Sequence, residues 1–293
     1  MEAAKASALV LVLLVAPIAG CIGTGEDLEE QASDDPSTNE TTDYAPPERN
    51  PEVDLVETSH LVDVSSEDVE IHVRIVRPAD VDQAPVIAEF TPYNAPGRAM
   101  LVEPAVDRPS GTYVEQFVER GFAFAFADVR GTSDSGGCLD LRGSMDVEDA
   151  GELTAWLGTQ DWSSGEVGFV GASYPGSEAH IAAIADDEHL GGVIPVVAST
   201  SFYHYHHKAG VPYDNHLTTN AGYTAFATAP SANPQHPNWL TKEAYQATEC
   251  EQPDQLARGL DQSGAYDAWW QDRDLNHRID EIDVPVLMAL AQN

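Results

Sequence analysis

Apolar and polar positions change rhythm several times along this chain. From Val69 to Ile75 the apolar Val69, Ile71, Val73 and Ile75 alternate with Glu70, His72 and Arg74, the period of two expected of a half-exposed strand. With "HLVDV" (60–64) on the far side of the turn "SSED", this predicts an antiparallel pair at a sheet edge. Four later stretches do not alternate: "APVIAEFTPYN" (84–94), "FAFAFADVRG" (122–131), "GEVGFVGA" (165–172) and "LGGVIPVVAST" (190–200). Continuous apolar runs of that length suit strands covered on both faces. Helical spacing fills the gaps. "YVEQFVERG" (113–121) closes on a glycine, and "SMDVEDAGELTAWLG" (144–158) sets Val147, Ala150, Leu153, Trp156 and Leu157 on one face, with acids in its first turn. A third helix should follow Ser173. Strands alternating with helices predict a doubly wound, mostly parallel α/β sheet over residues 53–200.

The rhythm is lost over 201–281, which is rich in Tyr, His, Trp, Asn and Pro and has two helix-like pieces, "TKEAYQATE" and "AYDAWWQDR". It reads as a helical cap inserted over the carboxyl edge of the sheet. "IDVPVLMALAQN" (282–293) then returns to the core as a strand, and the given sequence ends there.

Before the folded part stand two segments of another kind. Lys5 precedes an apolar run, "ASALVLVLLVAPIA", and "IAGC" ends at Cys21. The run is too short for a stable membrane span and reads as an export signal over 1–20. Small residues before Cys21 resemble a lipobox, which would make Cys21 the lipidated mature N-terminus and place the protein on the outer face of the cell membrane. Plain secretion with an incidental cysteine is the alternative. Residues 21–52 are polar and acidic and bury too little to fold, so they read as a tether, with a glycosylation sequon at Asn39.

Charge narrows the function classes. The chain has 49 Asp and Glu against 14 Lys and Arg, a formal net charge of −35, spread along its length. Such a surface repels phosphate backbones, which argues against nucleic-acid binding. It suits either concentrated salt, where counterions screen self-repulsion, or simply an acidic secreted protein. Beyond Cys21 only Cys138 and Cys250 remain; outside the cell they form one disulfide or stay as two buried thiols. No Cys/His cluster has zinc-site spacing, so neither metal nor cofactor is expected. His204, His206 and His207 are expected to line the cap as polar groups rather than to ligate metal or serve as a base, and Asp214 is a weak candidate acid. His180 and His189 are expected at the surface.

The chemistry centres on "GFVGASYPGSEA" (168–179), where an apolar strand meets a helix with Ser173 at the junction. Ligands bind at such carboxyl ends of parallel strands. A nucleophile elbow needs small residues around the serine, usually G-x-S-x-G; here Gly171-Ala172-Ser173-Tyr174-Pro175-Gly176 has its second glycine one place late. An ordinary serine N-cap is the competing reading.

Taken in order, "TPYN" (91–94), "DVRGTSDSGG" (128–137), "QDWSSGEVGFVGASYPG" (160–176) and "YDAWWQDRDLNHRIDEIDVPVL" (266–287) resemble the α/β-hydrolase family of X-Pro dipeptidyl-peptidases, cocaine esterase and glutaryl or α-amino acid ester acylases. The resemblance covers roughly residues 55–293, and the Gly-x-Ser-Tyr-x-Gly elbow is that family's own variant. It implies an α/β-hydrolase fold, with Ser173 as acylating nucleophile and the Tyr174 backbone N–H and the Tyr93 hydroxyl as oxyanion donors. Asp128 and Arg130 would be structural, and Tyr203, Tyr205, Trp269 and Trp270 would shape the pocket or pack the cap. The family's triad Asp and His, and its C-terminal jelly-roll domain, are expected beyond Asn293. The sequence-based expectation is an exported, lipid-anchored serine hydrolase cleaving peptide, amide or ester acyl bonds, inactive as this fragment. The alternative is a non-catalytic surface lipoprotein with a relic hydrolase fold.

Overall fold

A computed structural model describes residues 45–64, 69–94, 112–213, 219–223, 250 and 263–290. The export signal, Cys21, Asn39, Asp214 and "TKEAYQATE" lie outside these residues.

Six strands form one sheet: β1 (Leu55–Val64), β2 (Val69–Pro78), β3 (Ala84–Thr91), β4 (Ala123–Asp128), β5 (Ser163–Ala172) and β6 (Leu190–Val196). Their spatial order is β1-β2-β4-β3-β5-β6. β1, β2 and β4 pair antiparallel, while β4, β3, β5 and β6 run parallel. This is the mostly parallel α/β sheet that the alternation of strands and helices predicts. The expected antiparallel pair stands at the sheet edge, with β1 as the outer strand and β2 paired on both sides. Beyond β6, residues 285–289 pair parallel through Val193↔Val286 and Val196↔Ala289, so the returning segment extends the sheet.

β4 shows how sequence divides the two faces. Ala123, Ala125 and Ala127 join the larger core cluster, while Phe124 and Phe126 project to the opposite face. Small side chains let helices approach closely on the first face, where α2 (Ser144–Gly158) and α3 (Tyr174–Ala185) pack on the sheet and on each other. Tyr113 stacks on Phe124 on the second face, at 4.6 Å between ring centres. It belongs to the short α1 (Thr112–Gln116), followed by a 3-10 turn rather than the continuous helix that the spacing predicts.

Asp146 and Asp149, in the first turns of α2, are wholly buried. Two expectations about histidines fail on burial. His180 is buried within α3, and His189 is half-buried with Nδ1 3.0 Å from the Gly165 carbonyl. In the cap segment His206 and His207 are buried rather than lining a polar surface. Each turns Nδ1 back onto its own short helix α4 (Phe202–His206), towards the carbonyls of Phe202 and Tyr203, and packs on Trp270. A backbone carbonyl at Nδ1 offsets part of the cost of burying each imidazole among aromatic rings.

Candidate active site

Ser173 joins β5 to α3 with φ 65° and ψ −116°, a left-handed conformation that a non-glycine residue adopts at a cost of about 1–3 kcal/mol. The strain is held by fixed neighbours. The Ser173 N–H donates to the Val196 carbonyl on β6 at 2.9 Å, and its carbonyl accepts from the Ser177 N–H at 3.1 Å. The side chain makes no capping hydrogen bond, although Ser173 occupies the N-cap position. Ser201 shows the contrast, since its hydroxyl does cap its helix by accepting from the His204 N–H at 3.2 Å. The Ser173 side chain is instead exposed at the carboxyl end of the strand.

The late glycine has a steric cause. A Cβ on Gly171 would stand 2.3 Å from the Cβ of Pro175, and one on Gly176 would stand 2.8 Å from the Gly171 carbonyl oxygen and 2.9 Å from that of Val196. The crossing of strand and helix therefore falls on residues 171 and 176, with Pro175 in the first helical turn where its missing N–H is harmless. Tyr174 opens α3. The first N–H groups of a helix have no intrahelical acceptor and carry the positive end of its dipole.

Tyr93 follows the end of β3 and packs edge-on against Tyr174, with ring centres 6.4 Å apart. Its hydroxyl meets that of Tyr223 at 3.0 Å, and the Tyr223 ring lies 4.8 Å from the Tyr174 ring. Tyr223 is the site residue that sequence reasoning missed: "AGYTAF" has no motif, and only the fold brings it here. Burial raises its pKa, and the Tyr93 hydroxyl adds to the rise.

Asp128 holds the Tyr93 turn from below. Its carboxylate accepts from Asn94 Nδ2 at 2.7 Å, contacts His72 Nδ1 at 2.8 Å and receives the Asp134 N–H at 3.3 Å. Arg130 grips Asp149 with Nε and Nη2 at 2.7 and 2.6 Å, which ties the loop after β4 to α2. Cys138 of the same loop is bonded to Cys250.

Under the elbow lies a buried charge cluster. Arg273 grips Asp140 (Nη2–Oδ1 2.7 Å), the Arg142 N–H donates to Asp146 at 2.6 Å, and the Arg142 guanidinium covers the Tyr174 ring at 4.4 Å. Arg142 Nε and Nη1, Asp146 Oδ1, the Tyr174 hydroxyl and both Glu178 carboxyl oxygens are buried without a hydrogen-bond partner among the described residues. Burial, reinforced by neighbouring carboxylates, pushes the Asp146 carboxyl up to about 8 and Glu178 well above the carboxylate range. Among the predicted groups, the fold thus brings Ser173, Tyr174 and Tyr93 to one edge, whereas Trp270 and Tyr203 pack the core.

Residues 67–293 match the X-Pro dipeptidyl-peptidase (S15 family). The chain belongs to this family. A "Putative Xaa-Pro dipeptidyl-peptidase" of Streptomyces avermitilis is 30% identical over 50% of this chain and 26% of its own length. Another of Rhodopirellula baltica is 27% identical over 81% of this chain and 44% of its own. The solved structure of an α-amino acid ester hydrolase is similar with a TM-score of 0.59 and 22% identity, covering 87% of this chain and 45% of that one. A CocE/NonD family hydrolase from Staphylococcus aureus also reaches 0.59, at 19% identity over 80% and 44%. The fold is thus that of the α/β-hydrolases, and the chain spans under half the length of these relatives.

Proposed function

We propose that this S15-family chain supplies the nucleophile elbow of a serine hydrolase working by acyl transfer. Ser173 attacks an ester or amide carbonyl; the oxyanion rests on the Tyr174 N–H and the Tyr93 hydroxyl; the leaving group departs, and water then releases the acyl group. One observation carries this reading: Ser173 occupies a helix N-cap in a strained left-handed conformation, yet its hydroxyl does not cap. A serine kept for capping would spend its oxygen on the helix. The orienting acid and the base of this reading are the Asp and His expected after Asn293.

The names of the relatives support peptides with proline in the second position, or amino-acid esters, as substrate class. The apolar run ending at Cys21 supports export and a lipid anchor, and the acidity supports a salt-rich setting. A serine-directed fluorophosphonate applied to the full gene product tests the catalytic part, with the labelled residue located by mass spectrometry. Label on Ser173, absent from Ser173→Ala, is the expected result. A folded protein without label at Ser173 favours the non-catalytic binding alternative. Incorporation of labelled palmitate that disappears in Cys21→Ala tests the anchor.

A further inference from the structure

A second serine, away from the elbow, stands in series with an imidazole and a carboxylate. Ser59 is exposed on β1, His72 lies opposite Leu61 on β2, and Asp128 ends β4. Ser59 Oγ is 2.8 Å from His72 Nε2, and His72 Nδ1 is 2.8 Å from Asp128 Oδ2. The sheet register produces the alignment. Ser59 faces Arg74 across the β1–β2 pair, so it lies diagonal to His72 on the same face. Asp128 stands one step beyond the registered pair Val73↔Ala127, beside His72.

The roles follow from accessibility and hydrogen-bond demand. Asp128 is fully buried and held by Asn94 and the Asp134 N–H, so its carboxylate is fixed. A fixed carboxylate draws the imidazole proton to Nδ1 and leaves Nε2 as the acceptor facing Ser59. This is the order of nucleophile, base and orienting acid in a serine triad. The Arg74 guanidinium lies on the same face over the Phe126 ring at 4.5 Å, with Nη1 3.0 Å from Glu57. The Arg74–Glu57 ion pair thus stands beside Ser59.

We propose that Ser59 is a second acylatable serine, with His72 as its base and Asp128 as the orienting carboxylate, taking its acyl or phosphonyl group from small activated donors. Ser59 Oγ bonds to the carbonyl carbon or phosphorus while the bond to the leaving group breaks. The Ser59 proton passes through His72 Nε2 to the leaving group. Water then gives a proton to Nε2 and bonds to the acyl carbon or phosphorus; the bond to Ser59 Oγ breaks, Oγ takes the proton back from Nε2, and the acid is released. Ser59 lies exposed on an edge strand with the Arg74–Glu57 ion pair rather than a pair of backbone N–H donors beside it, so the leaving group must bring most of the reactivity. Aryl esters and phosphonyl fluorides fit that requirement; peptides do not.

The experiment uses the full chain carrying Ser173→Ala, which separates this site from the elbow. A fluorophosphonate is added and labelled serines are mapped by mass spectrometry, with exposed Ser164 as internal reference. At least tenfold more label on Ser59 than on Ser164, dropping to the Ser164 level in His72→Gln, is the expected result. Circular dichroism of the Ser173→Ala chain reports its fold. Equal label on Ser59 and Ser164, or none on Ser59 in a folded chain, overturns the proposal. Ser59→Ala removes only an exposed hydroxyl, and it should abolish the residual hydrolysis of p-nitrophenyl acetate by the Ser173→Ala chain. Residual hydrolysis unchanged by Ser59→Ala also overturns it.

Discussion

The hydroxyl oxygens of Tyr93 and Tyr223, 130 residues apart in sequence, meet at 3.0 Å beside the elbow. If Tyr93 donates to the oxyanion, Tyr223 fixes the direction in which it points. Tyr93→Phe should lower kcat about a hundred- to a thousand-fold and change KM little, the sign of an interaction made in the transition state. Tyr223→Phe removes only the orienting partner and should cost about three- to tenfold. Steady-state kinetics on one aryl ester reads both.

Gly176→Ala should destabilise the protein by about 1–3 kcal/mol, the usual cost of overpacking. The atoms that its Cβ would meet at 2.8 and 2.9 Å are backbone carbonyls of Gly171 and Val196, which cannot swing aside. Gly222→Ala is the control, because nothing among the described residues lies within 4 Å of the added carbon. Its effect should stay within about 0.5 kcal/mol. Denaturant unfolding of the two variants provides the comparison.

Asp146 makes stability depend on pH. Its carboxyl, ordinarily at 3.8, is pushed up to about 8 by burial and by Asp140 and Asp149, so the folded state holds a proton that the unfolded chain releases. The contribution is full below about 3.8 and is lost as pH rises to about 8. Glu178, raised in the same direction, adds to the trend. Asp146→Asn cannot ionise but can still accept from the Arg142 N–H, so it should flatten the decline of Tm between pH 5 and 8. Thermal melts across that range check the slope.

Arg273 joins the segment before the last strand to the loop after β4. Its guanidinium donates to both the carbonyl and the carboxylate of Asp140, and all of these groups are buried. Arg273→Met keeps the bulk but strands a buried carboxylate, and should cost about 3–5 kcal/mol. Adding Asp140→Leu should recover part of the loss, as read from a double-mutant cycle in urea.

The formal charge of −35 should make the folded chain sensitive to ionic strength. Raising KCl from roughly 0.1 M to 1 M shortens the screening length from about 10 Å to about 3 Å. Tm should rise over that range more than for a near-neutral relative, as differential scanning fluorimetry would show.

How far the sequence spoke for the fold depended on how local each signal was. The strands "FAFAFAD" and "GEVGFVGA" were legible because covered strands need unbroken apolar runs, and α2 because its apolar face repeats at helical spacing. The family resemblance rested on equally local stretches. Burial of polar groups was not legible. Glu89 sits inside the apolar run of β3, and its partner, the Tyr113 hydroxyl at 2.7 Å, lies 24 residues on. Asp146 and Asp149 look like surface acids of a helix start until Arg130 and Arg142 are brought against them. His206 and His207 looked polar because a sequence does not show that the carbonyls of Phe202 and Tyr203 meet their Nδ1 atoms or that Trp270 covers them. Tyr223 depends on a contact across 130 residues, which no periodicity encodes.

The bond between Cys138 and Cys250 turns the chain into a lariat, closing a loop over a sequence separation of 112. β5, Ser173, α3 and β6 all lie on that loop, and Tyr93 lies on the tail before it. A protease that nicks the loop once therefore opens a ring without releasing a piece. The two sides of the elbow would stay covalently joined, and only reduction would part them on a gel. For a protein outside the cell, among proteases, the segments flanking Ser173 would thus survive a cut as one molecule.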